Sequence, residues 1–344
     1  MSQTAVTGAT GFIGSALVKR LLQQGQRVKV LQHQREAEFP MAEVTVCRCD
    51  VTRPETLHGV FDDCDVVYHL AGRTLTLTSE DFYRVNVDGS RNVAMAMAAS
   101  VSRRLQPPRL VLVSSLAGAG PAVKELPLDE TLPPRPVSDY GASKALAEEA
   151  VRDLADTVDI TIARPPSVMG ETEPYLLDAF RWGLRGLAFQ PLASELRYSM
   201  VHVDDLVDAL IHLAERGDRL VKPPSDGALT KHDWGAGIYF VSHDQPVRFA
   251  DLGEIAAAAL GRPRQVRTVV MPAWLCRMIG QFGDLGSRLM GRTLILCGDK
   301  MREATAGSWM CDSARLLRTG FRFPVSLQDR IAQTAVGYRR NGLL

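Results

Sequence analysis

The sequence predicts a doubly wound α/β protein: an open parallel sheet with helices on both faces. Three observations predict it. Short apolar runs rich in Val, Ile and Leu stand at residues 4–7, 27–33, 44–49, 66–70, 109–114, 160–163, 200–203 and 238–241. Most lack polar alternation, as strands buried on both faces do. Helical patterns lie between them. In the first, Ile13, Leu17 and Leu21 recur every four residues, and Gly25 stands as a C-terminal cap. Finally, the first run breaks directly into a glycine-rich turn at residue 8. Strand–helix alternation with such a turn is the pattern of a doubly wound sheet.

Composition narrows the class. The chain has 344 residues, 46% hydrophobic and 23% charged, long enough to bury a full core without staples. Forty Lys and Arg face 39 Asp and Glu, a net charge of +1, which argues against a nucleic-acid binder. No apolar run reaches the roughly 18 residues that span a bilayer. Met1-Ser2-Gln3-Thr4 leads straight into a strand, leaving no room for a secretory leader, so a cytoplasmic protein is expected. The six cysteines (Cys47, Cys49, Cys64, Cys276, Cys297 and Cys311) fit that compartment as packing residues. Cys47 and Cys49 share one face of a strand, but further ligands for a metal are not evident, and no metal is expected.

The turn after the first strand reads Thr7-Gly8-Ala9-Thr10-Gly11-Phe12-Ile13-Gly14 and opens a helix. Glycine permits the tight turn and lets the backbone approach a pyrophosphate. The helix start adds free N–H groups and partial positive charge. Gly8, Thr10, Gly11, Phe12, Ile13 and Gly14 are therefore expected to hold a dinucleotide on a Rossmann fold. The second strand ends in Val30-Leu31-Gln32-His33-Gln34-Arg35, with no carboxylate before Glu36 to bond the ribose hydroxyls. Arg35, with His33 or Gln34, suits a 2′-phosphate instead, which favours NADP over NAD.

Regularity ends near Pro165. Gly and Pro punctuate 169–174, 183–191 and 222–237, yet two strand candidates lie beyond. A smaller C-terminal substrate domain interleaved with the sheet is expected. Residues 1–168, about 198–215 and 237–243 would bind the dinucleotide; about 169–197, 216–236 and 244–344 would bind substrate. In 274–296 apolar residues mix with Arg277, Asp284, Arg288 and Arg292. Its glycines and mixed charge favour a helix covering a pocket over an amphipathic helix on a membrane surface.

Ser138-Asp139-Tyr140-Gly141-Ala142-Ser143-Lys144 opens a further helix, with Ser138 or Asp139 as N-cap. Tyr140 and Lys144 lie one turn apart on one face. A phenol titrates near 10, too high for proton transfer at neutral pH. An ammonium about 6 Å away at a dielectric of about 20 supplies roughly 2.8 kcal/mol, or about two pKa units. Ser114 and Ser115 end the preceding strand, where ligands bind in parallel sheets.

Together these residues resemble the extended branch of the short-chain dehydrogenase/reductase family, the NAD-dependent epimerase/dehydratase group. The motifs occur in order: Thr7 to Gly14, Cys49-Asp50-Val51, His69-Leu70-Ala71-Gly72, Val85-Asn86-Val87-Asp88-Gly89, Val113-Ser114-Ser115, Tyr140 to Lys144, Arg164-Pro165-Pro166-Ser167-Val168 and Val201-His202-Val203-Asp204-Asp205. The resemblance implies that Tyr140 exchanges the proton, that Lys144 binds the nicotinamide ribose and acidifies Tyr140, and that Ser115 binds the substrate oxygen, with Ser114 the lesser candidate. It implies that Asp50 and Val51 flank the adenine. Leu70, Ala71 and Gly72 would lie along the cofactor, and Pro165, Ser167 and Val168 near the carboxamide. A homodimer through the helices after Asp88 and Tyr140 is also implied.

Other motifs read as structural. Asn86 is expected to support the backbone beside the cofactor, Asp204 to cap a helix, and His69 to sit satisfied in the core. Met95 and Met97 suit packing or a subunit surface. Arg164-Pro165-Pro166-Ser167-Val168-Met169-Gly170 is closer to 3β-hydroxysteroid dehydrogenase-like and flavonol-reductase-like members than to sugar-nucleotide ones. The expected activity is hydride transfer between a nicotinamide cofactor and a secondary alcohol or ketone. The alternatives are a nucleotide-sugar epimerase or dehydratase retaining NAD, and a non-catalytic cofactor-binding regulator. Tyr175, Phe180, Trp182, Phe189, Trp274, Phe282 and Trp309 are expected to line an apolar substrate pocket.

Overall fold

The apolar runs of the sequence meet in one parallel sheet. The structure, a computed structural model, describes residues 3–36, 39, 44–101, 107–222 and 234–344. Its strands are β1 (Gln3–Thr7), β2 (Arg27–Gln32), β3 (Val44–Arg48), β4 (Val66–His69), β5 (Arg109–Val113), β6 (Asp159–Arg164), β7 (Ser167–Met169), β8 (Leu187–Pro191), β9 (Met200–His202), β10 (Ile238–Phe240) and β11 (Arg267–Met271). Seven form the main sheet in the order β10-β6-β5-β4-β1-β2-β3, all parallel. Every carboxyl end therefore lies on one edge, and the strand order reverses between β1 and β4. That crevice is where such sheets bind ligands.

Two corrections concern strands. The run at 200–203 forms β9 but does not enter the sheet; it pairs with β7, just beyond the two prolines that follow β6. The β8–β11 pair was not legible either, because its partners lie some eighty residues apart and only their contact defines them. Most of the loop expected at 222–237 falls outside the described residues.

Two layers of helices cover the sheet. Along the chain they are α1 (Phe12–Gln23), α2 (Ser79–Phe82), α3 (Gly89–Ser100), α4 (Leu116–Ala119), α5 (Asp139–Arg152), α6 (Leu177–Gly183), α7 (Val203–Arg216), α8 (Phe249–Ala259), α9 (Ala273–Met290), α10 (Gly298–Ala304), α11 (Ala314–Arg318) and α12 (Leu327–Arg340). Alternation along each strand decides which layer a side chain meets. Val6 joins Leu17, Leu21, Leu206 and Leu210 beneath α1 and α7. Its neighbour Ala5 joins Val93, Met97 and Val151 beneath α3 and α5. Met97 is thus core packing, whereas Met95 is exposed.

The expected capping by Asp204 is corrected. His202 is the N-cap of α7, its ring accepting from the Asp204 N–H at 3.2 Å. Asp205 is buried and bonded at 3.0 Å by Arg330 of α12 and at 3.0 Å by His243. A buried carboxylate persists only with such partners.

His69 ends β4 inside the core and joins three elements. The Thr7 hydroxyl accepts from the N–H groups of Leu70 and Ala71, at 3.2 and 3.1 Å. Its own proton is then directed to His69 Nδ1 at 2.7 Å. That leaves Nε2–H to donate to Ser90 at 3.0 Å, and Ser90 donates to the Asn86 carbonyl at 2.6 Å. Only a neutral imidazole satisfies the chain. Burial, then the Lys144 charge, hold the His69 pKa down to about 3. The unfolded imidazole takes its proton near 6.5 and the folded one does not, so stability is full above 6.5 and lost as pH falls toward 3. We predict that His69 accounts for about 2 kcal/mol of stability loss between pH 7 and pH 5. Urea denaturation of His69→Gln at both pH values should lack that loss.

Candidate active site

β1 enters the glycine turn with Gly8 at φ +67°, where side chains are rarely accommodated. A Cβ on Gly8 would stand 2.6 Å from the Ala71 nitrogen, and one on Gly14 would collide with the Gly8 carbonyl. The turn is thereby pressed against Leu70 and Ala71 at the end of β4, and Gly72 stands against Asn86 and Lys144. The first turn of α1 has neither a capping side chain nor an acidic residue. Its N–H groups are open to an anion, which is the fit a dinucleotide pyrophosphate requires.

The remaining residues expected at the cofactor align along the same edge. Thr10, Gly11, Phe12 and Ile13 form the rim of the turn. A Cβ on Gly170 would touch the Phe12 ring at 2.8 Å, and Val168 packs in the same cluster as Phe12 and Ile13. The Pro165 carbonyl accepts from the Leu116 N–H at 2.8 Å, just beyond β5, and Ser167 of β7 pairs with Met200. At the other end, Val51 presses on Gly89, and Asn92 donates to the Val51 carbonyl at 2.9 Å. Asp50 stands 3.4 Å from His33. Burial opposes the Asp50 charge, but hydrogen bonds from the Thr52 hydroxyl and N–H and the nearby His33 keep its pKa low. Arg35 is exposed and has no ion-pair partner among the described residues. His33 thus faces a carboxylate.

Helix α5 starts at the N-cap Ser138, whose hydroxyl accepts from Gly141 N–H at 2.9 Å. One turn brings Tyr140 to the carboxyl end of β5. The Ser115 hydroxyl caps α4, accepting from the Ala117 N–H at 3.1 Å, and stands near enough to the Tyr140 phenol to pull its pKa down. Ser114 points elsewhere: it is buried and donates to Glu148, which Arg164 also grips, at 2.9 Å through Nε. The two serines are thereby separated, Ser115 towards the phenol and Ser114 bonded to the buried Glu148–Arg164 ion pair. Lys144 donates to the Val113 carbonyl at 2.7 Å. Burial lowers its pKa to about 8, against the opposing pull of Glu148.

Asn86 carries out the expected support. It accepts from Arg73 N–H at 2.7 Å and donates to the Arg73 carbonyl at 3.0 Å. It also donates to Ser143 at 2.9 Å, and Ser143 donates to the Tyr140 carbonyl at 2.7 Å. The chain of hydrogen bonds begun at Thr7 and His69 thus reaches the tyrosine helix.

The electrostatics of Tyr140 correct the sequence reading. Burial pushes the phenol above its ordinary value; Lys300 and then the Ser115 hydroxyl pull it down, and Glu303 and Tyr175 push it up. The ammonium over the ring is that of Lys300, 4.4 Å from the centroid. Lys144 instead turns to the strand carbonyl. Lys300 belongs to α10, which docks on the start of α5. Asp299 accepts from the N–H groups of Asp139 and Tyr140, at 2.7 and 3.3 Å. Glu303 accepts from Ser138 at 2.6 Å and from Lys300 at 2.9 Å. Burial opposes the Lys300 charge, yet Glu303 and Tyr140 outweigh it and raise its pKa. No motif marks Lys300. Only its position on a helix 160 residues downstream brings it to Tyr140.

The expected aromatic pocket is only partly formed. Tyr175 faces the site, within 3.4 Å of Thr74, and Trp309 donates to the Glu303 carbonyl at 3.0 Å. Phe180 is core, edge-on to Tyr338. Trp182, Phe189, Trp274 and Phe282 are exposed. An open cavity of about 590 Å³ near this face is lined by Leu77, Thr78, Ser79, Glu80 and Arg288.

A parallel sheet reversing at β1, an uncapped glycine-lined helix start there, and a serine–tyrosine–lysine set at the next strand end define an NAD(P)-dependent enzyme of the short-chain dehydrogenase/reductase type. Comparison with known proteins agrees. The model of the NAD-dependent epimerase/dehydratase family matches residues 4–225. A ceramide reductase of Caulobacter vibrioides is 32% identical, over 99% of this chain and 95% of its own. A 2-alkyl-3-oxoalkanoate reductase of Shewanella oneidensis is 26% identical, over 85% of this chain and 74% of its own. The UDP-glucose 4-epimerase of Thermus thermophilus, solved with NAD, shares the fold at a TM-score of 0.71 and 22% identity, covering 98% of this chain and 99% of its own. The chain belongs to the NAD-dependent epimerase/dehydratase family.

The site generates a prediction. Removing the Lys300 charge in Lys300→Met should raise the Tyr140 pKa, moving the alkaline limb of the pH–rate profile upward by about one unit. Lys300→Arg should keep the limb in place. A purely structural role would lower the rate without moving it.

Proposed function

We propose that the chain is an NADP(H)-dependent ketoreductase acting on a hydrophobic substrate with a long apolar portion. The observation that carries this reading is the convergence of Ser115, Tyr140 and Lys144 at the carboxyl end of β5, with Ser115 pulling the buried phenol's pKa down and Lys144 bonded to the Val113 carbonyl. Ser115 would bind the carbonyl oxygen, and the Tyr140 phenol would donate its proton to that oxygen. Lys144 would bind the nicotinamide ribose and fix the register of the site. When bound, the reduced nicotinamide supplies the hydride that the carbonyl carbon accepts. Gly8 to Gly14 would hold the pyrophosphate, and Arg35 the 2′-phosphate. The segments at about 169–197, 216–236 and 244–344 would hold the substrate.

The names of the relatives support the substrate class, since ceramide and 2-alkyl-3-oxoalkanoate both carry alkyl chains. Exposed Met95 on α3 and Leu146 on α5 support a homodimer joined through these helices. Among the described residues, no helix is long and apolar enough to cross a membrane.

Absorbance at 340 nm tests the reading. Long-chain ketones should consume NADPH faster than NADH, and Arg35→Ala should remove most of that preference. Tyr140→Phe should lower kcat at least about 100-fold with the fold intact. Turnover unchanged in Tyr140→Phe would reject the proton-transfer role. A tightly held NAD that co-purifies and is not exchanged during turnover would favour the epimerase alternative.

A further inference from the structure

Helix α9 (Ala273–Met290) presents two opposite faces. Cys276, Gly280, Gly283 and Ser287 are buried. A Cβ on Gly280 would meet the Gly298 Cα at 3.0 Å, and one on Gly283 would collide with the Leu296 carbonyl. The sole carboxylate of the helix, Asp284, also turns in and accepts from the Gly298 N–H at 2.9 Å. The glycines and the negative charge that argued against a membrane-surface helix are therefore spent on packing against α10.

The outward face has the opposite character. At 100° per residue, Trp274, Met278, Phe282, Leu285 and Leu289 fall within an arc of about 80°. Trp274 is 61% exposed, Phe282 66% and Leu289 79%. Ile295 and Leu296 extend the patch, as does Met290. Exposed Arg277 and Arg288 flank the stripe on one side, and exposed Arg292 follows its end. Between residues 262 and 296 the chain has six arginines and one carboxylate, the inward Asp284.

We propose that the outward face of α9 docks on the surface of an anionic phospholipid bilayer. Large apolar side chains with a tryptophan at one end suit insertion to the headgroup level, and the arginines suit lipid phosphates. The charge pattern favours a bilayer over a second copy of the chain. A two-fold pairing of this face would set Arg277 and Arg288 of one copy against the same unneutralised set in the other. The location gives the surface a use. The inward face of α9 packs on α10, whose Lys300 lies over Tyr140, and Arg288 reaches the open cavity beside Leu77. A bilayer beneath α9 would lie beside that cavity and one helix away from Tyr140.

Flotation of the full chain tests the docking surface, with vesicles of phosphatidylcholine alone and of phosphatidylcholine with phosphatidylglycerol at about 3:1. The wild type should float with the anionic vesicles. Trp274→Ser/Phe282→Ser/Leu289→Ser should reduce the bound fraction at least about tenfold, with an unchanged Tm showing that it folds. Arg277→Gln/Arg288→Gln should lose the preference for anionic vesicles. Failure of the wild type to float, or flotation retained by the serine variant, overturns the proposal. So does a wild-type dimer by light scattering that becomes a monomer in the serine variant without any vesicle binding. None of these readouts depends on catalytic turnover, so the result stands apart from the ketoreductase reading.

Discussion

The structure depends on one line of hydrogen bonds along the carboxyl edge of the sheet. It runs from the Thr7 hydroxyl through His69 and Ser90 to the Asn86 carbonyl, then from the Asn86 amide through Ser143 to the Tyr140 carbonyl. The groups are largely shielded from water, so each unpaired member would cost its full desolvation. The line can be satisfied only when β1, β4, α3 and α5 hold fixed relative positions. Those positions set the distance between the glycine turn and the tyrosine.

A second constraint acts on the tyrosine from the C-terminal part of the chain. Asp299 meets the positive end of α5, and Glu303 and Lys300 form a charged pair beside the phenol. Acidic groups at a helix N-terminus are favoured by its dipole. The same docking delivers a cation to the ring of Tyr140. A segment far from the motifs in sequence thus also shifts the pKa of the phenol.

Helix α9 shows how one element answers two demands. Its small residues bring α10 close, which seats Lys300. Its large residues face out because the inward side has no room for them. Sequence composition averages the two faces and reads as mixed. Resolved onto the helix, the faces are sharply different.

The sequence by itself determined the sheet, the glycine turn and the Tyr140–Lys144 spacing. These are local patterns, set by strand burial, helix periodicity and the conformational freedom of Gly8. It also marked Ser115 over Ser114 through resemblance, and Asn86 and His69 as structural. Only tertiary structure decided the rest. The β8–β11 pair, the exclusion of β9 from the sheet and the His202 cap all depend on partners chosen in space. So does the cation at Tyr140: two lysines compete for that role, and burial against the Val113 carbonyl turns Lys144 aside while Lys300 arrives from a distant helix. Electrostatic energy depends on distance and dielectric, and neither is written in the order of residues.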